Sequence, residues 1–184
     1  MAYKTISAAE GISNIKTHNN LSNSIIEDNF AMNMLLDKED NFYFDILIEN
    51  CVFYYDFITQ LGVYRGNVVI KNCIFHRFFI FHGVNCLQYV RIENGRFDNL
   101  CDIDCGSFNR ETIFNNNVFT EFVNFQDQDF QGPSFFINNV FQNGTNLLHP
   151  EGAPNGAHFA YLPVLEGNIG LDKFEGGRPV IKIS

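Results

Sequence analysis

Short segments of alternating apolar and polar residues recur along the chain at an interval of 22 residues. In the stretch VVIKN, Val68, Ile70 and Asn72 share one face of an extended strand, while Val69 and Lys71 share the other. The pattern lacks helical periodicity and therefore predicts β-strands. The matching segments are IIEDNFA at 25–31, LIENCVF at 47–53, VIKNCIF at 69–75, RIENGRF at 91–97, IFNNNVF at 113–119 and FINNVF ending at Phe141.

Positions 22 residues apart carry the same kind of side chain in three columns. The first column is apolar, the second is mainly asparagine and the third is mainly phenylalanine. A repeat of this kind, without a gap in six copies, predicts a β-solenoid whose equivalent residues stack about 4.8 Å apart. The columns are Ile26, Ile48, Ile70, Ile92, Phe114 and Phe136; Asp28, Asn50, Asn72, Asn94, Asn116 and Asn138; and Ala31, Phe53, Phe75, Phe97, Phe119 and Phe141.

The asparagine column predicts a ladder at a turn, in which each side-chain amide bonds to the amide of the next coil. Glycine and asparagine tolerate the left-handed backbone that a sharp bend needs. We expect that backbone at the residue after the ladder, which is Asn29, Cys51, Cys73, Gly95, Asn117 or Asn139.

Three further columns are apolar and predict the second wall of the core. In the stretch FHRFFIFHG, Phe75, Phe79 and Phe81 are then core residues, whereas His76 and His82 fall in outward columns. The three columns are Leu35, Phe57, Phe79, Cys101 and Val123; Thr59, Phe81, Ile103, Phe125 and Leu147; and Phe42, Tyr64, Cys86, Phe108 and Phe130.

The 22-residue coil, the asparagine ladder and the aromatic stacks, over roughly residues 24–147, resemble the right-handed parallel β-helix (pectin-lyase-like) superfamily, which includes pectate lyases and polygalacturonases. The A(D/N)LXX pattern of pentapeptide-repeat proteins is absent. The resemblance implies an all-β fold, a right-handed parallel β-helix of about six coils. A fold alone does not imply a function.

The two ends of the chain differ from the repeat. Residues 1–23 are expected to form an N-terminal cap, with a short helix beginning at the capping-box pattern Ser7-Ala8-Ala9-Glu10. The solenoid is expected to span 24–147. Residues 148–184 hold four of the five prolines and predict an irregular extension with an excursion loop, HPEGAPNGAH, and closing strands in FAYLPVLEG and RPVIKIS.

Composition narrows the function classes. A net charge of −9 and a pI near 4.9 disfavour direct binding to nucleic acid and to anionic membranes. No apolar stretch is long enough to span a bilayer, and no signal peptide is evident, so a cytoplasmic location is expected. The five cysteines are expected to be free thiols, with Cys51 and Cys73 stacked on neighbouring coils.

Acidic residues are concentrated on the predicted solenoid. Residues 26–141 contain 16 acidic and 7 basic residues, which gives −9 and accounts for the whole net charge. Only Arg110 opposes the seven acids between Asp98 and Asp129. This distribution predicts an acidic surface for a basic protein partner. The expected contact residues are Asp98, Asp102, Asp104, Glu121, Asp127 and Asp129.

His82, Asp102 and Asp104 are the candidate catalytic residues. Asp104 lies one coil beyond His82, and Asp102 is two residues away on the same strand, so three titratable groups are expected on one outward face. The resemblance to polygalacturonases implies catalytic carboxylates on outer strands. Against catalysis, the coils have no long loops to build a substrate cleft. Cys101, close to Cys105, lies in an inward column, so no metal site is predicted, and no cofactor motif is present.

Three functions follow. The preferred hypothesis is a non-enzymatic binding protein, of inhibitor, immunity or accessory type, that presents its acidic face to a basic protein. The second is a small carbohydrate-binding or carbohydrate-active β-helix, a glycoside hydrolase or polysaccharide lyase, using Asp102 and Asp104. The third is a structural subunit of a phage tail or adhesin assembly, which agrees with homo-oligomerisation.

Overall fold

The computed structural model describes residues 3–148 and 156–171, which wind through four sheets of parallel strands. Each coil visits the sheets in the same order, numbered here 1 to 4. Sheet 1 comprises Asn20–Ser22, Ile46–Glu49, Val68–Lys71, Val90–Glu93, Thr112–Asn115, Ser134–Ile137 and Val164–Glu166. Sheet 2 comprises Lys4–Ile6, Ser24–Ile26, Val52–Phe53, Ile74–Phe75, Arg96–Phe97, Val118–Phe119 and Val140–Phe141.

The other two sheets complete the coil. Sheet 3 comprises Phe30–Ala31, Phe57–Gln60, Phe79–His82, Cys101–Asp102 and Val123–Asn124. Sheet 4 comprises Asn41–Phe42, Val63–Tyr64, Asn85–Cys86, Ser107–Phe108, Asp129–Phe130 and His158–Phe159. Sheets 1 and 3 therefore lie on opposite sides of a four-sided coil, and so do sheets 2 and 4.

The predicted 22-residue register is observed from Asn41 to Thr145, whereas the last strands pair at an offset of 29 residues (158 − 129). Val68 pairs with Val90 and Val90 with Thr112, and Phe75 pairs with Phe97. Buried and partly exposed residues alternate along the longer strands, because successive side chains of a strand point to opposite faces. The chain is therefore a parallel β-solenoid, as predicted.

Phenylalanine rings fill the interior as continuous stacks. Ring centroids are 5.0 Å apart between Phe53 and Phe75, 4.9 Å between Phe75 and Phe97, and 4.7 Å between Phe97 and Phe119. A second stack, in which Phe57 and Phe79 are 5.1 Å apart, meets the first edge to face. Both arrangements are favourable for aromatic quadrupoles. The predicted buried stack is confirmed.

The prediction for the first coil was wrong in register. Ile26 pairs with Phe53 and Phe30 with Phe57, so this coil is offset by 27 residues rather than 22. The extra five residues (27 − 22) lie between Ala31 and Asn41, a stretch that includes the 3₁₀-helix Met32–Leu35. Ile26, Asp28, Ala31 and Leu35 therefore do not belong to the columns assigned to them, and Leu21 rather than Ile26 pairs with Ile48. Asn23 begins the ladder instead, and Phe30 takes the place of Leu35.

The corner between sheets 1 and 2 contains two asparagine ladders. In the outer ladder, the side-chain amide of Asn50 donates to Asn23, that of Asn72 to Asn50 and that of Asn94 to Asn72. The ladder residues themselves have φ near +55°, so the bend lies one residue earlier than expected. The following residue points inwards, and there Asn117 donates to Asn139 and Asn139 to Asn168 in a buried second ladder.

A helix covers the first coil, as predicted. It spans Ala8–His18, and the side chain of Ser7 accepts a hydrogen bond from the amide of Glu10. Ile12 and Ile15 are buried, and a Cβ on Gly11 would come within 2.8 Å of the Phe30 ring. The helix and the strand Lys4–Ile6 thus protect an edge that would otherwise be open to pairing.

The C-terminal region is described in part. The strand Val164–Glu166 extends sheet 1 and lies within the predicted FAYLPVLEG segment. The strand His158–Phe159 extends sheet 4 and overlaps the start of that segment. The segment RPVIKIS and most of the excursion loop lie outside the described residues. All five cysteines are free thiols, and Cys105 alone among them is exposed. Among the described residues, no helix has the length and apolar character needed to cross a bilayer.

Candidate functional site

The three candidate catalytic residues lie where sheet 3 turns toward sheet 4. His82 ends its strand opposite Gln60, and Asp102 pairs with Ile80 on the neighbouring coil. The amide of Gly83 donates to the carbonyl of Asp104 at 2.8 Å, which holds the two coils in register at this corner. The regular 22-residue spacing thus brings the three side chains onto one side of the solenoid.

His82 and Asp104 form a close pair between coils. The Nδ1 of His82 lies 2.6 Å from Oδ1 of Asp104. The imidazole is 42% exposed, whereas the Asp104 side chain is only 12% exposed. Asp104 is therefore a largely buried carboxylate that orients His82, rather than an open surface acid as its outward column suggested.

Asp102 belongs to a separate chain of amides along sheet 3. Asn146 donates to Asn124 at 2.8 Å, and Asn124 donates to Oδ1 of Asp102 at 2.7 Å. Partial burial raises the pKa of the Asp102 carboxyl. The hydrogen bond from Asn124 opposes this shift, and the nearby charge of Asp104 adds to it. Asp102 is thus less inclined to ionise than an open aspartate.

Cys105 completes a cluster that the sequence analysis missed. Its thiol lies 3.6 Å from Oδ2 of Asp104, and desolvation together with that carboxylate raises the pKa of the thiol. Potential ligand atoms of His82, Asp104 and Cys105 all lie within 4.8 Å of one another. Cys101, considered with Cys105 from the sequence, is fully buried and faces the core, and burial raises its thiol pKa strongly.

The corner itself explains why Cys105 faces this cluster. Leu61, Gly83, Cys105 and Asp127 occupy one column, and all four have positive φ between 52° and 64°. The 22-residue pattern does not predict this bend, because the four positions hold residues of different types. The neighbour relation between His82 and Asp104 was predictable from column spacing, whereas the approach of Cys105 depends on the left-handed turn.

The remaining predicted contact residues differ in their exposure and in whether their carboxylates are already bonded within the protein. Asp98 is held by His76 at 2.8 Å and by Arg96 at 2.6 Å. Glu121 is exposed and accepts a hydrogen bond from Asn143. The Asp127 side chain is 54% exposed, and Asp129 is partly exposed on sheet 4.

His158 is a second residue at this side of the molecule that the sequence did not reveal. It pairs in register with Asp129, and its Nε2 lies 3.9 Å from Oδ1 of Asp127. The chain returns to sheet 4 only after the long segment beyond residue 148, so the fixed spacing could not place it. The corner between sheets 3 and 4 therefore carries two histidines, one thiol and several carboxylates.

Comparisons with known protein families, with curated proteins and with solved structures find no match to this chain. The geometry and charge of the residues described above are therefore the basis for a functional assignment.

Proposed function

We propose that the protein is a non-enzymatic binding protein that presents the side formed by sheets 3 and 4 to a basic protein partner. The observation that supports this proposal most is the separation of charge around the coil. In four successive coils, the segments 57–64, 79–86, 101–108 and 123–130 form these two sheets and the corner between them and contain no lysine or arginine; Lys38 lies at this corner in the first coil.

Most basic residues of the solenoid lie on the other sides. Five of the seven basic residues within 26–141 belong to sheets 1 and 2 or to the corner between sheets 4 and 1. Several of these are already paired, for example Lys71 with Glu49 at 3.0 Å and Arg91 with Glu111 at 2.9 Å. The five residues are Arg65, Lys71, Arg91, Arg96 and Arg110.

The contact surface is expected to centre on the acids that remain accessible. Asp127, Asp129 and Glu121 are better suited to meet a basic partner than Asp98 and Asp104, whose carboxylates are already engaged within the protein. Acids arranged in this way steer a basic partner toward one side of the protein and orient it there. Their effect on the association rate and specificity is larger than their effect on binding affinity. A cytoplasmic basic protein is the class of partner that this proposal implies.

A matched pair of charge reversals tests the proposal. Asp127→Lys/Asp129→Lys changes the acidic side, and Glu93→Lys/Glu166→Lys makes the same change of charge on sheet 1, at the opposite side of the coil. Partners captured from cell extract are quantified by mass spectrometry against the parent. We expect the first variant to lose a basic partner and the second to retain it. Equal retention by both variants would contradict the proposal.

The carbohydrate-active alternative is supported by one observation, the raised pKa of Asp102 beside Asp104. A carboxyl whose pKa is raised beside a second carboxyl is an arrangement found in an acid catalyst and its partner. The resemblance to the pectin-lyase-like superfamily favours pectin-like polymers as substrates. Hydrolysis of such a polymer that disappears in both Asp102→Asn and Asp104→Asn, with each variant shown to be folded by circular dichroism, would establish this alternative in place of the binding function.

A further inference from the structure

The cluster at the corner between sheets 3 and 4 has the donor set of a transition-metal site. His82 offers an imidazole nitrogen, Asp104 a carboxylate and Cys105 a thiol, and their ligand atoms lie within 4.8 Å of one another. Thiolate and imidazole ligands favour zinc and similar borderline metals, whereas magnesium and calcium prefer sites made of oxygen.

We propose that His82, Asp104 and Cys105 bind a Zn²⁺ ion, which would link two successive coils of the solenoid. This inference is independent of the proposed binding function, because it uses a side-chain cluster rather than the charge of the surface.

The distances in the cluster are close to those of such a site. Ligand atoms around tetrahedral zinc are separated by about 3.3–3.8 Å, given metal–nitrogen and metal–sulfur bonds of about 2.0 and 2.3 Å. The Sγ atom of Cys105 and Oδ2 of Asp104 are already 3.6 Å apart. The imidazole is 2.6 Å from Asp104, and must therefore move away by rotation. Its 42% exposure leaves it free to do so.

The three ligands leave one position of a tetrahedral ion open. Asp127 follows Cys105 in the same corner column, one coil further on, and its side chain is 54% exposed. Either this carboxylate or a water molecule would complete the coordination. On binding, the Sγ–H bond of Cys105 breaks, a bond from sulfur to zinc forms and the proton passes to solvent.

The other cysteines do not compete for the ion. Cys51, Cys73, Cys86 and Cys101 are buried, so Cys105 is the thiol that metal or reagent reaches first in the folded protein. This exposure gives a simple measurement: reduced protein should react with a thiol reagent rapidly at one position, and zinc should slow that reaction.

The solenoid also supplies a matched control. His76 and Asp98 form a similar histidine–carboxylate pair at 2.8 Å between the same two coils, at the corner between sheets 2 and 3. Among the described residues, His82, Asp104 and Cys105 form a group of three that could hold a metal ion. His76 and Asp98 have no third ligand of this kind beside them in that part of the chain. His76→Gln should therefore leave metal binding unchanged.

The experiment uses the full chain, reduced and free of any affinity tag. Cobalt(II) is titrated and followed by its thiolate charge-transfer absorption, and zinc affinity is measured by calorimetry. We expect one ion per chain and a thiolate band in the parent and in His76→Gln. Cys105→Ser and His82→Gln should each lose affinity by about tenfold or more, and the first should lose the band.

Asp104→Asn is not used, because a change in a largely buried carboxylate can disturb the fold. Circular dichroism and thermal unfolding would verify that the Cys105→Ser and His82→Gln variants are folded. Three results would overturn the proposal. The first is a cobalt spectrum of the folded parent without a thiolate band, and the second is zinc binding that persists in both variants. Alkylation of Cys105 at an unchanged rate in saturating zinc would also overturn it.

Discussion

Two corners of the coil share one backbone conformation but not one kind of side chain. Between sheets 1 and 2, the left-handed residue is asparagine in each successive coil from Asn23 to Asn138. Between sheets 3 and 4, the column contains Leu61, Gly83, Cys105 and Asp127. Glycine, asparagine and aspartate adopt this backbone at little cost, whereas most other residues lose about 1–2 kcal/mol.

The difference indicates at which corner the requirements of the fold determine the choice of amino acid. The asparagine corner meets a backbone requirement and forms bonds from coil to coil with the same side chain, so folding alone explains its composition. At the second corner, Leu61 and Cys105 oppose the backbone preference. Positions that break a local rule without a structural gain are where function is expected, and both proposals made above involve the second corner.

The largest effect is expected in the aromatic wall behind the first corner. Phe97 is 1% exposed and stacks between Phe75 and Phe119. Phe97→Ala should lower the free energy of unfolding by about 3–5 kcal/mol, because it removes buried surface and leaves a cavity. Urea denaturation measures the loss. The control is Tyr54→Ala, a ring that is 47% exposed, which should cost much less. Similar losses in both would contradict the assigned core.

An intermediate effect is expected in the asparagine ladder. Asn72 donates to Asn50 and accepts from Asn94, and its φ is +55°. Asn72→Ala should cost about 1–3 kcal/mol, from lost hydrogen bonds and a strained backbone. Asn72→Gly loses the bonds but keeps the permissive backbone, and should therefore be less harmful. If both variants unfold at the same urea concentration, the left-handed backbone is not what the ladder residue provides.

Opposite substitutions at the second corner should have opposite signs. Leu61→Gly removes a side chain that is 63% exposed from a residue with φ of +55°, and should stabilise the protein by up to about 1 kcal/mol. Gly83→Ala should destabilise it, because φ is +64° and the added Cβ would lie 2.8 Å from Cδ2 of Leu61. Thermal unfolding of the two variants gives the comparison. Stabilisation by Gly83→Ala would show that this bend is not as described.

The smallest effect concerns pH and Asp102. Because the folded state raises its pKa, the folded protein binds more protons than the unfolded chain just above pH 4, and Asp102 makes stability fall as pH rises through that window. Asp102→Asn should remove this penalty and stabilise the protein at pH 7 by less than about 1 kcal/mol, given the partial exposure of the group. Unfolding followed from pH 3 to pH 7 tests this, and a variant less stable than the parent at pH 7 would contradict it.

The repeat made most of the fold predictable. Identical columns imply identical environments, so the apolar columns of Ile48 and Phe53 located the core without further information. The first coil was misjudged because IIEDNFA resembles the repeat while a five-residue insertion before Asn41 shifts its register. The position of the bend was misjudged by one residue, because several of the residues after the ladder, such as Gly95 and Asn117, also tolerate left-handed backbone.

The candidate site was only half predictable for a related reason. Column spacing places His82 beside Asp104, since both lie on the regular part of the coil. Cys105 and His158 reach the same corner through a left-handed bend and a return from a long loop, and neither follows from a fixed spacing. Side chains that depend on irregular backbone are the ones that sequence reasoning omits.

The claim that folding dictates the first corner but not the second is tested most directly at Cys105. Replacing it with asparagine, the residue of the first corner, gives the second corner a side chain that its backbone prefers. We predict that Cys105→Asn has a free energy of unfolding in urea equal to or greater than that of the parent, measured without metal. A loss of more than about 1 kcal/mol would contradict the account, because it would show that the thiol stabilises the fold itself.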